Sequence, residues 1–144
     1  MKEIKCRDQL LAIIIPHTYH KPGISFFTPD NFSQQLAYME HPVEHNIAPH
    51  VHNLIKREVY YTQEVLLIRK GKLRVDFYDD DKNYIESCIL EVGDVILLVK
   101  GGHGFKVLED LEMFEIKQGP YLGENDKTRF EGISDEKVII RDDF

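Results

Sequence analysis

The chain has 144 residues, 42% apolar, 10% aromatic and 30% charged. That is enough for one hydrophobic core and too little for two, and too apolar for a disordered chain. Eighteen Lys and Arg stand against 25 Asp and Glu, a formal charge of −7, which argues against nucleic-acid binding and membrane adhesion, since both need a basic face.

Residues 10–15 form the most apolar stretch near the N-terminus. They follow Asp8 and run into Pro16-His17 rather than a small-residue cleavage site, so no secretory leader is expected. No run reaches the roughly 18 apolar residues of a membrane span. Cys6 and Cys88 make no disulfide framework, so a soluble cytoplasmic protein is the expectation. Residues 24–28 read as a short strand closed by Pro29-Asp30, and 34–40 as a further strand in preference to a single helical turn. From residue 64 onward, short β-branched and aromatic runs follow at 65–69, 73–78, 84–90, 95–99, 105–108, 113–117 and 138–141. Turn chemistry separates them at Lys70-Gly71-Lys72, residues 79–83, Val92-Gly93-Asp94, Gly101-Gly102 and Glu109-Asp110.

Leu73, Val75 and Phe77 share one strand face, with Arg74, Asp76 and Tyr78 on the other; Arg74 is expected to face solvent or a dimer partner. Many short strands without a helical period predict an all-β sandwich or barrel. The run Asp79-Asp80-Asp81 reads as a hairpin turn, lacking the spaced ligands and glycine of a calcium loop. His17, His20, His41 and His45 read as surface or loop residues.

Three features carry chemistry. In His50-Val51-His52 the two imidazoles leave the same face of a strand and can converge on one metal ion. Glu64 opens an apolar strand and shares a face with Leu66 and Ile68, so if it points inward it needs a cationic partner. His103 follows Gly93-Asp94, an apolar strand and the Gly101-Gly102 turn.

Together these features resemble the cupin superfamily, whose first motif runs G-x5-H-x-H-x3,4-E-x6-G and whose second runs G-x5-P-x-G-x2-H-x3-N. His50, His52, Glu64 and Gly71 fit the first, and Gly93 and His103 the second. The pattern departs at Glu44, which stands at the leading glycine, at Val99 for proline and at Val107 for asparagine. Residues 53–63 form an insertion between His52 and Glu64, the Gly93–His103 spacing is one residue short, and a long loop costs little free energy. The resemblance implies a double-stranded β-helix, the cupin jelly-roll barrel, as a single domain over 1–144, with the metal motifs within 50–103. It also implies a divalent metal ion (Fe, Mn, Ni, Co or Zn) held by His50, His52, Glu64 and His103. The segments Pro49-His50-Val51-His52, Gln63-Glu64, Gly101-Gly102-His103-Gly104-Phe105 and Lys117-Gln118-Gly119-Pro120-Tyr121 are similar to a subgroup of small bacterial cupins, some of which look like accessories of cell-surface sugar biosynthesis.

Such a centre suits isomerase, epimerase or oxygenase chemistry on a small polar, anionic or sugar-type substrate. The insertion carries Lys56 and Arg57, read as a lid for an anionic group. Tyr60 is a candidate general acid and Gln118 a polar wall residue of the pocket. Two alternatives stand beside the enzyme: a non-catalytic binding or sensor module, and a metal-free sugar-nucleotide epimerase using a His base and a Tyr acid. Short edge strands and the apolar segment 10–15 point to a homodimer.

Overall fold

The computed structural model describes residues 1–143, which fall into two compact units, one built from residues 1–19 and 61–143 and the other from 20–60. The larger unit holds six strands: β1 (Lys2–Cys6), β2 (Gln9–Ile15), β5 (Glu64–Tyr78), β6 (Tyr84–Leu90), β7 (Val95–Leu98) and β8 (Gly102–Lys117). They form one antiparallel sheet in the order β1-β2-β7-β5-β6, with β8 also paired to β5. The chain is thus all-β, and this sheet is a strongly curled half-barrel. Among the described residues, no helix is long and apolar enough to cross a membrane.

The smaller unit contains β3 (Gly23–Phe26) antiparallel to β4 (Ala37–Glu40). Its connection is tied by Thr28, whose hydroxyl donates to Gln35 Oε1 at 2.7 Å and accepts from the Leu36 N–H at 3.1 Å.

The apolar segment 10–15 is not a loose end. It is the body of β2, paired with β1 on one side and β7 on the other, and Leu11, Ala12, Ile13 and Ile14 are buried. The dimer argument drawn from its exposure therefore falls away. The charged strand β1 escapes a sequence reading because only Ile4 and Cys6 mark its inner face.

Two expected turns are corrected. Lys70-Gly71-Lys72 and Glu109-Asp110 lie inside single long strands, and they sit opposite each other: Lys70 pairs with Glu112 and Lys72 with Glu109. Register shifts cluster at this point, so turn-type residues here make a paired bulge rather than two hairpins. Gly71 is at φ 79°, and a Cβ there would lie 2.1 Å from the Asp110 carbonyl oxygen. The bulge also flips the strand. Leu66 and Ile68 enter the core before it, and Leu73, Val75 and Phe77 after it. The core is completed by Leu11, Ile14, Cys88, Leu90, Ile96 and Leu98.

The Asp79 turn closes the β5–β6 hairpin, its Oδ1 accepting the N–H groups of Asp81 and Asn83. Residues 138–141 do not form the strand expected there; they make an isolated parallel bridge, Ile140 to Ser87, at the outer edge of β6.

Arg74 departs from its expected outward position. The C-terminal segment covers this face of β5, leaving Arg74 8% and Asp76 6% exposed. Arg74 Nε donates to Asp76 Oδ1 at 2.8 Å and Nη1 to Asp135 Oδ1 at 2.9 Å. Ser87 adds a hydroxyl donor to Asp76 at 2.5 Å, so the buried charges are paired, as burial requires.

Candidate functional site

Glu64 begins β5 and His103 lies near the start of β8. In the β5–β8 ladder Glu64 pairs with Lys117 and Phe77 with His103, which places the two residues at opposite ends. A straight strand from Glu64 to Phe77 would hold those ends about 40 Å apart. Instead Glu64 Oε2 and His103 Nε2 are 3.3 Å apart. The curl of the sheet, accommodated at the paired bulge, folds the ladder back until its ends meet.

The meeting point opens into a cleft of about 530 Å³ within the larger unit. One wall is the sheet, with Thr62, Glu64, Tyr78, the glycine-rich run 101–104 and Phe105; the other is residues 126–130 with Gly132. The hydrogen bond from His103 holds the Glu64 carboxyl below its ordinary value of 4.5, against the opposing effect of burial, with Lys117 and Lys127 adding attraction. The cleft thus offers a carboxylate and an imidazole side by side, beside the cations Lys127 and Arg129.

Tyr78 is the strongest feature that the sequence reading missed. Its ring stacks edge-on against Phe130 at 5.0 Å, and its hydroxyl accepts the Ile133 N–H at 2.8 Å. Tyr78 itself is buried, 3% exposed. Position in the polar phase of β5 was the one available signal, and it also fits a solvated tyrosine.

His50 and His52 belong to the smaller unit. The expected strand is absent there: residues 45–60 carry no ladder pairing, and Pro49 has no N–H to donate to one. The two rings are nevertheless neighbours, 5.3 Å between centroids and nearly perpendicular, with His50 Nδ1 at 3.2 Å from the Ala48 carbonyl. Lys56, Arg57 and Tyr60 lie in the same exposed stretch. Lys56 is 3.1 Å from Glu58, Arg57 Nη1 donates to the Ile55 carbonyl at 3.4 Å, and the Tyr60 hydroxyl donates to Glu58 at 3.0 Å. Gln118 follows β8, half-buried, its N–H donating to the Gln63 carbonyl at 3.1 Å. The other histidines are in local pairs: His17 with Asp94 at 3.0 Å, His20 with Glu40 at 2.7 Å, and His41 stacked on His45.

Two donors bonded to one ion at about 2.1 Å and near-perpendicular angles stand about 3 Å apart, so the Glu64–His103 spacing fits adjacent ligands of a divalent ion. Among the described residues, no group of three or more His, Cys, Asp or Glu side chains is gathered closely enough to hold a metal.

The backbone at the motif glycines is informative. Gly71 and Gly93 take φ of 79° and 89°, and Glu44, standing where the cupin pattern has glycine, takes φ 68°. All three positions are left-handed, the region glycine favours.

A scan against protein-family models finds no match, and searches of curated proteins and of solved structures find none either.

Proposed function

We propose that this chain binds a small polar, anionic metabolite in the cleft and acts on it through Glu64 and His103, with a divalent metal ion as cofactor. The observation that carries this reading is the convergence of those two side chains from opposite ends of one ladder, at ligand-to-ligand spacing, inside a cleft. Support for the cupin type comes from the all-β curled sheet and from the left-handed backbone at Glu44, Gly71 and Gly93. On that resemblance Glu64 and His103 would be two of the metal's donors. The metal, when bound, supplies Lewis-acid polarisation of a substrate oxygen. The protein's own part is to fix the His103 imidazole against Glu64, present Lys127 and Arg129 to an anionic group, and exclude water with Phe105 and Phe130.

Elemental analysis of protein purified without chelator tests this. Near-stoichiometric Fe, Mn, Ni, Co or Zn is expected, with loss of most of it in Glu64→Gln and His103→Ala. Metal-free protein that takes up none of these ions overturns the metal reading.

A second reading is favoured by Tyr78. Glu64 lies against the His103 imidazole, and the Tyr78 phenol lines the same cleft, which is the pairing of a metal-free His-base, Tyr-acid epimerase. Deuterium wash-in from solvent into a sugar-nucleotide panel, lost in Tyr78→Phe, distinguishes it. Ligand binding without turnover under either condition would assign a binding module instead.

A further inference from the structure

The wall of the cleft opposite the sheet is a strap without strand structure, residues 126–135, pinned at three places. At its start Asp126 accepts from the Thr62 hydroxyl at 3.3 Å and lies 3.9 Å from Lys117. In its middle Phe130 sits in a notch that only glycine leaves open: a Cβ on Gly102 would lie 2.9 Å from the ring. Close by, the Tyr78 hydroxyl holds the Ile133 N–H. At its end Asp135 is shared between Arg74, at 2.9 Å, and Lys106. Between the first two pins, Lys127, Thr128 and Arg129 are exposed.

These pins differ in kind. The aromatic plug and the single Ile133 hydrogen bond are uncharged contacts. Two of the pins are ionic: Asp126 lies 3.9 Å from Lys117, whereas Asp135 takes a 2.9 Å bond from a guanidinium that is itself fixed by the buried Asp76. Arg74 keeps that partner whether or not Asp135 is in place, so the latch can open without leaving an unpaired buried charge. We propose that residues 126–135 are a movable wall of the cleft, latched by Asp135 onto Arg74 and Lys106, and that Asp135 is a positioning residue controlling access to His103. This rests on the reading of the cleft as a ligand site, but it does not depend on which ligand or metal is taken.

Two measurements on the full chain test it, with Asp135→Asn and, as a milder variant on an exposed partner, Lys106→Gln. Hydrogen exchange followed by mass spectrometry should show protection across 128–134 falling about tenfold in Asp135→Asn, with β2 and β7 unchanged. Diethyl pyrocarbonate, mapped by peptide mass, should modify His103 several-fold faster, while the exposed His45 and His52 react as in the parent. An unchanged His103 rate in both variants overturns the proposal even if the cleft binds a ligand. A rise in exchange throughout the sheet in both variants overturns it as well, because Asp135 would then be part of the folding core. Failure to find metal or ligand in the preceding experiments leaves the latch result standing.

Discussion

Glu64 is held ionised by its neighbour, and that makes the pair measurable without knowing the substrate. In chelator-treated protein, a double-mutant cycle over Glu64→Gln and His103→Gln should give a coupling of about 1 kcal/mol at neutral pH, read from urea unfolding. The sign with pH follows from the direction of the shift. The folded-state pKa of Glu64 lies below the ordinary 4.5, so its stabilisation is present above 4.5 and is lost as pH falls through the lowered value. A coupling that survives in the acid range would show that something other than the ionised carboxylate holds the pair. At this scale the sequence was partly legible. An apolar strand headed by a carboxylate implies either a solvated rim position or an inward charge in need of a partner, and Glu64 has His103 beside it at 3.3 Å. Arg74 was illegible, because alternation places it on a polar face and nothing local reveals that residues far down the chain cover that face.

The two long strands are where turn chemistry misled. Lys70-Gly71-Lys72 and Glu109-Asp110 have the composition of reverse turns, and only their pairing with each other shows that each is half of one bulge. By contrast β6 was legible to the residue, because its boundaries coincide with the Asp79 turn and with Val92-Gly93-Asp94. The bulge is also what lets the ladder fold back on itself, so its integrity should matter more than its exposure suggests. Gly71→Ala forces a Cβ against the Asp110 carbonyl at positive φ, and should cost more than about 3 kcal/mol, the upper range for strained backbone. Gly23→Ala has a similar φ, 90°, with nothing within 4 Å, and should cost only about 1–2 kcal/mol. Chemical denaturation of both variants checks the contrast; equal losses would mean that the close approach at Gly71 relaxes freely.

In the larger unit, the sheet is apolar on both faces over four strands, and this bears on assembly. Ile13, Leu97, Val65 and Ile116 lie in register across β2, β7, β5 and β8, as do Ile15, Val95, Leu67 and Phe114. These rows lie on the face opposite Leu66 and Ile68. They begin buried, with Ile13 and Leu97 at 0%, and end exposed, with Phe114 at 54% and Ile116 at 59%. A sheet with two apolar faces is ordinarily covered on both, and an exposed apolar patch marks a contact surface. The homodimer expected from the sequence therefore has a better basis here than in residues 10–15, at the β8 end of these rows. Sedimentation velocity at micromolar concentration should give a dimer for the parent and a folded monomer for Phe114→Glu with Ile116→Glu, since neither side chain supports the core. A parent that sediments as a monomer would leave these rows covered by nothing larger than the chain itself, and the dimer would be abandoned.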